Sequence, residues 1–236
     1  RPSAPAHVTC GFPALETGDL AAACVREIAA GADGVKVLVA AKGRSPEEDA
    51  ARVRAVRAAI GDAPDLIVDA NCGWDRETAL AFLWASDAIA LTWLEEPVQG
   101  NDRRDLAALA ATGVHPLGAG QMEQSADRFR LLAEAGVDVL QPNAVFCGGL
   151  GAAAAIAADA RAGGATVSPA GGWDFVNVHW ACGALDAGPV ELHRGQARIA
   201  RLLGAAPVLR DGHIAPPDAP GLGLDPDETA LAACAL

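Results

Sequence analysis

Along this chain, short runs of β-branched and apolar residues alternate with longer stretches of helical period. The strand-like runs are 7–12, 34–40, 65–70, 90–96, 115–120, 137–142, 165–170 and 189–193. Helical stretches lie between them at 17–30, 45–60, 75–86, 102–112, 124–135, 149–163 and 175–186. Ser45 precedes Pro46-Glu47-Glu48, which puts an N-cap, a first-turn proline and acids in the order a helix start prefers. Asp102 and Ser125 stand at equivalent places. Eight strands alternating with helices predict a (β/α)8 TIM-type barrel over 1–205, or its (β/α)7β variant. A doubly wound sheet is the competing arrangement, but the Gly-rich phosphate turn after the first strand is absent. From 206 to 236 the chain turns rich in Pro and Gly and follows neither period, so an extended tail packed on the barrel is expected.

Strand alternation sorts side chains into helix-facing and interior-facing sets. Val35, Val37 and Val39 face the helices, which turns Lys36 and Leu38 inward. By the same parity Ile67, Asp69 and Asn71 share a face, as do Trp93 and Glu95, with Glu96 pointing the other way. On the fifth strand the set is Ala119, Gln121 and Glu123. The sixth gives Val139, Gln141 and Asn143, the seventh Thr166, Ser168 and Ala170, and the eighth Glu191 and His193. Asp69, Glu95 and Gln121 are spaced 26 residues apart at the ends of three successive strands. Barrel enzymes keep their chemistry at that end. Two buried acids at one mouth repel unless a cation lies between them, and hard oxygen donors suit Mg2+. Either acid alone reads equally well as a cap of the following helix; the equal spacing is what argues for a site.

Composition narrows the partners. A net charge of −12 leaves no basic face for nucleic acid, and no run of 18 uncharged apolar residues offers a membrane span. Six cysteines without a CxxC pair read as free thiols of a reducing cytoplasm, and the N-terminus has no signal-peptide organisation.

The motifs VDANCGW (68–74), WLEEP (93–97) and LQPNAVFCGGL (140–150), with PGLGLDPDE (220–228) in the tail, resemble the barrel domain of the mandelate racemase and muconate lactonizing branch of the enolase superfamily. The resemblance covers nearly the whole chain. It implies a Mg2+-dependent enzyme that removes a proton alpha to a carboxylate, leading to dehydration or racemisation of a small hydroxy acid such as a sugar acid. It places the metal ligands on Asp69, Glu95 and Gln121, with Glu123 two residues on as a substitute for the amide. Asn71 and Asn143 fall at substrate-binding positions. A homo-oligomer is common in the family.

Departures from the pattern touch the acid and base groups. The family's Lys-x-Lys on the second strand reads Lys36-Val37-Leu38. Its sixth-strand Asp is Asn143, and its seventh-strand His is Ala170. The lysine that the lactonizing branch carries on the sixth strand is missing as well. Lys36, acting as base with a lowered pKa, and Glu191 with His193 on the eighth strand are the remaining catalytic candidates. The family's N-terminal capping domain lies outside this sequence, since residue 1 falls just before the first strand. Three readings stand: an acid-sugar dehydratase or epimerase with altered acids and bases, a catalytically degenerate barrel that binds a ligand or partner, and an unrelated barrel whose acids cap helices.

Overall fold

The computed structural model describes residues 1–183, 188–204 and 207–234. Strands and helices alternate as β1 (Ala4–Gly11), α1 (Thr17–Ala29), β2 (Gly34–Leu38), α2 (Pro46–Ile60), β3 (Asp65–Asp69), α3 (Arg76–Ala85), β4 (Trp93–Glu95) and α4 (Arg103–Ala110). The second half continues with β5 (Leu117–Ala119), α5 (Ala126–Glu134), β6 (Val139–Leu140), α6 (Leu150–Ala162), β7 (Thr166–Val167), α7 (Asp174–Gly183), β8 (Val190–His193) and α8 (Ala197–Leu202). The parallel sheet runs β7-β6-β5-β4-β3-β2-β1-β8. Its two ends meet: the Glu191 N–H donates to Pro169 O at 2.9 Å and the Ser168 hydroxyl to Pro189 O at 2.6 Å. This is the expected barrel. The expected helix 175–186 runs at its C-terminal end into residues outside those described.

The helices start where their caps lie. Ser45 and Glu48 form a reciprocal capping box at the start of α2, and Asp75, Asp102 and Ser125 accept first-turn N–H groups of α3, α4 and α5. Asp49, fully buried on α2, accepts the Ala40 N–H at 2.8 Å and so fixes the turn after β2.

One large apolar cluster lies between strands and helices. It takes Val35, Val37, Val39, Leu66, Val68, Leu94, Leu140, Val167, Val190 and Leu192 from the outer faces of the strands. Each fully buried residue of this size is worth about 1.5–3 kcal/mol, which makes the alternation binding on the interior set. Inside the barrel, Ile67, Trp93 and Val139 form a small separate cluster, with the His7 ring edge-on to Trp93 at 5.6 Å. The other buried interior positions are polar: Thr9, Lys36, Asp69, Glu95, Gln141, Ser168 and Glu191.

The fifth strand reverses the expected parity. Leu117 and Ala119 join the outer cluster, and Gly118 between them faces inward. A Cβ on Gly118 would lie 2.5 Å from Trp93 Cδ1 and 3.0 Å from Gln141 Oε1, so the bulk of Trp93 requires glycine there. Gly120, at φ 122°, then turns the chain before Gln121, and regular alternation ends.

The tail returns to the barrel at the start of β1, the end opposite the strand C-termini. Its strand β9 (His213–Ile214) pairs antiparallel with Ala4 and Pro5. Asp225 and Asp227 N–H groups bond Leu203 O and Leu202 O, ahead of a last helix, α9 (Glu228–Ala233). Among the described residues no helix is long and apolar enough to cross a membrane.

Candidate active site

Adjacent parallel strands set the core of the site. Their register aligns Leu38 with Asp69 and Asp69 with Glu95, while Lys36 sits two residues deeper on β2. From there the Lys36 ammonium reaches three carboxylates: Glu95 Oε1 at 2.7 Å, Glu191 Oε1 at 2.8 Å and Asp69 Oδ2 at 3.2 Å. All four side chains are at most 2% exposed. Three acids around one ammonium leave an excess of two negative charges.

Each carboxylate has further partners. Glu95 Oε2 accepts from Gln141 Nε2 at 2.7 Å and from Trp93 Nε1 at 3.2 Å. Asp69 Oδ1 accepts the Asn71 N–H at 2.7 Å. Glu191 accepts the Thr9 hydroxyl on Oε1 and the Gly172 N–H on Oε2 at 2.8 Å.

These surroundings separate the proton affinities of the group. Burial, against the pull of Lys36, pushes Glu95 up to about 8, with Asp69 and Glu191 adding repulsion. Burial likewise raises Asp69, opposed by Lys36 and the Asn71 N–H. Burial also works against the charge of Glu191, but Lys36, His7 and His193 outweigh it and hold Glu191 below the usual carboxylate range. Lys36 itself is disfavoured by burial, yet Glu191, Glu95 and Asp69 together raise it well above an ordinary lysine. A base role needs a lowered value; this environment produces the opposite.

The remaining candidates are distributed around the mouth. Gln121 and Asn143 meet across Gly171, whose Cβ would lie 3.3 Å from Gln121 Cβ and 3.0 Å from Asn143 Nδ2. Asn143 donates to Ala170 O at 2.8 Å and accepts the Val145 N–H at 3.0 Å. Glu123 is turned to Arg128, which grips both its oxygens at 2.8 and 2.9 Å. Asn71 is exposed at φ 48° and touches the cluster through its backbone. His193 follows Glu191 on β8, half-buried, and its Nδ1 accepts the Gly195 N–H at 3.1 Å, which leaves the ring proton of the neutral form on Nε2. Burial lowers its pKa despite Glu191.

The structure thus brings Lys36, Asp69, Glu95 and Glu191 into one contact and Gln121 to Asn143, and keeps Glu123 in an ion pair of its own. Thr9, Trp93, Gln141 and Gly172 also belong to this network, and His7 packs edge-on against Trp93 with neither ring nitrogen hydrogen-bonded. Alternation on β1, with Ala4, Ala6 and Val8 outward, is the signal that finds His7 and Thr9. The Gly172 N–H carries no signal in the sequence.

Three buried carboxyl groups facing one ammonium, all offering hard oxygens, fit a hard divalent cation better than a soft or nitrogen-seeking one. Asp69 keeps lone pairs on both oxygens and Glu95 keeps one on Oε1, while Glu95 Oε2 is taken by Gln141 and Trp93. Among the described residues no three His, Cys, Asp or Glu side chains are grouped to hold a metal ion; the acids converge on Lys36.

The family described as "Enolase C-terminal domain-like" matches residues 19–230, and the chain belongs to it. Arabinonate dehydratase of Saccharolobus solfataricus is 30% identical over 201 residues, covering 82% of this chain and 52% of that protein. The L-talarate/galactarate dehydratase of Salmonella typhimurium is 39% identical over 104 residues, 44% of this chain and 26% of that protein. Among solved structures, the L-talarate dehydratase of Polaromonas sp. JS666, complexed with Mg and L-glucarate, superposes with a TM-score of 0.86 at 31% identity, over 98% of this chain and 64% of that one. A racemase from Streptomyces coelicolor A3(2) with bound magnesium gives 0.88 at 26% identity, over 100% of this chain and 64% of that one. The chain therefore spans about half the length of arabinonate dehydratase and 64% of each of these two structures.

Proposed function

We propose that this chain is the barrel of a Mg2+-dependent enzyme that removes a proton alpha to the carboxylate of a small hydroxy acid, most specifically a sugar-acid dehydratase. One observation carries the reading: three buried carboxyl groups, Asp69, Glu95 and Glu191, converge at the barrel mouth on the single ammonium of Lys36. The dehydratase relatives, and the magnesium in the two superposed structures, support it. Asp69, Glu95 and the amide oxygen of Gln121 hold the ion in this assignment. Bound there, Mg2+ supplies Lewis-acid polarisation of a substrate carboxylate. Glu123 enters only by giving up both bonds to Arg128.

Lys36 works as a fixed ammonium that orients the three acids and offsets negative charge on the substrate. His193 offers Nε2–H as a hydrogen-bond donor beside Glu191, and Asn71 and Asn143 border the substrate space. A specific observation favours a second reading, a barrel that binds its ligand without turnover. Leu38 and Ala170 stand where the family resemblance puts basic groups, and the three carboxylates around Lys36 raise its proton affinity rather than lower it.

The test is calorimetric Mg2+ binding by this chain and by Gln121→Glu, followed by solvent-deuterium uptake at the alpha carbon of a panel of acid sugars. Restoring a charged ligand is expected to tighten Mg2+ by about tenfold or more. Uptake supports the enzyme, and Mg2+-dependent ligand binding without uptake supports the second reading. Absence of Mg2+ binding by both proteins refutes the metal site.

A further inference from the structure

The turn between β7 and α7 has three successive left-handed residues: Gly171 at φ 80°, Gly172 at 67° and Trp173 at 53°. Glycine adopts this conformation freely, whereas a bulky residue such as Trp173 does so only when its surroundings impose it. One side chain of β8 and one of the 3-10 turn that follows it grip the turn. Glu191 on β8 accepts the Gly172 N–H at 2.8 Å, and Gln196, in the 3-10 turn Arg194–Gln196 that follows β8, accepts the Trp173 N–H at 2.7 Å through Oε1. The Gln196 amide fills the space where a Cβ on Gly172 would stand, 2.5 Å from its Cδ. From the other side, buried Asn177 donates to Gly172 O at 2.8 Å and accepts the Ala144 N–H at 3.0 Å.

We propose that Gln196 is a positioning residue for the site: by accepting the Trp173 N–H it keeps the Gly172 N–H on Glu191 and so holds that carboxylate against Lys36. Successive N–H groups of one turn are bound by Glu191 and Gln196, so release of the second leaves the turn on Glu191 and Asn177 alone and lets it move off Glu191 more often. Glu191 then keeps only Thr9 and Lys36, and the ammonium loses a rigid partner. The inference rests on the assignment of Lys36 and Glu191 to the site, but its test reads the protein without turnover. A failure here is therefore distinct from a failure of the proposed activity.

The sequence contains two lysines, Lys36 and Lys42. Lysine labelled with 15N therefore gives two ammonium signals, with the exposed Lys42 as internal reference. Gln196→Met removes the acceptor at nearly constant volume, while Gln196→Glu keeps an acceptor oxygen. Losing one such bond is worth a factor of about five in the opening equilibrium, so Gln196→Met is expected to speed Lys36 ammonium exchange with solvent about fivefold. Gln196→Glu is expected to stay within about twofold of the parent. A Gln196→Met protein that melts lower but leaves Lys36 exchange unchanged makes Gln196 a brace only and overturns the proposal. Equal acceleration in both variants overturns it as well.

Discussion

Replacing Lys36 with Met removes the one positive charge that three buried acids share. At an effective dielectric of about 20, an ammonium about 2.7 Å from a carboxylate is attracted by about 6 kcal/mol, and most of this is offset by taking both charges out of water. Removing one partner loses the attraction and keeps the desolvation of the others. Such truncations cost about 3–5 kcal/mol. For a domain of this size that is a fall of roughly 6–20 °C in melting temperature.

The deficit has a definite pH dependence. Without Lys36, the acids in the folded state titrate above their unfolded values, so the folded variant binds more protons than its unfolded chain at neutral pH. Its stability therefore falls as pH rises from about 4.5 through the raised folded values. The parent shares this loss at Glu95 and Asp69, both raised though opposed by Lys36, but differs at Glu191, which is lowered: that contribution is present above the unfolded carboxylate value and is lost only as pH falls through the folded one. Both effects widen the gap between parent and variant at high pH. Urea unfolding of the two proteins at pH 5 and pH 8 measures it. A deficit below about 1 kcal/mol at pH 8, or one that grows on acidification, refutes the account of Lys36 as the shared counter-charge.

Asp174, buried on the first turn of α7, is pushed up to about 6, mainly by burial, with its own and the Phe175 N–H opposing and Glu191 adding repulsion. Its charge costs stability fully above about pH 6 and not at all below the unfolded value of 3.8, so Asp174→Asn should stabilise by about 1–3 kcal/mol at pH 7.5 and by nothing at pH 3.5; denaturant melts at the two pH values check it. Gly118→Ala drives a methyl into Trp93, and is expected to cost about 1–3 kcal/mol and to shift tryptophan emission as the indole leaves Glu95; unchanged emission would contradict the close approach. Asn143→Asp replaces the amide that donates to Ala170 O with an acceptor, at an expected cost of about 1–3 kcal/mol in thermal melts at pH 7.

Much of the architecture was legible because the outer core enforces alternation. Parity placed Lys36, Asp69, Glu95 and Glu191 on the interior faces of β2, β3, β4 and β8, and the register then made them neighbours. It failed on β5, where the outcome depends on the size of Trp93 one strand away and on a glycine turn, neither of which has a period. The first strand begins at Ala4 rather than at 7, because Ala-Pro is a poor strand signal and its pairing partner, β9, lies more than 200 residues on. The surroundings of Lys36 were equally hidden: nothing in the sequence around it announces that carboxylates from three other strands converge on its ammonium and raise its proton affinity.

The same non-local reasoning bears on Asn143 and Ala170, where the family resemblance implies an acid and a base. Read singly, they are two separate departures from that pattern. In the structure they form one contact, since the Asn143 amide donates to the Ala170 carbonyl and its oxygen accepts the Val145 N–H. An aspartate at 143 could keep the second bond but would turn its other oxygen toward a carbonyl, acceptor against acceptor. Next to it, a Cβ on Gly171 would stand 3.0 Å from Asn143 Nδ2 and 3.3 Å from Gln121 Cβ, so either side chain would have to give by a few tenths of an ångström. The three strand ends from β5 to β7 are thus packed as a unit around neutral amides, while the charge of the site is concentrated on β2, β3, β4 and β8. Restoring one acid at a time on the neutral side sets it against a neighbour shaped for an amide, so the altered residues have to be understood as a coordinated set.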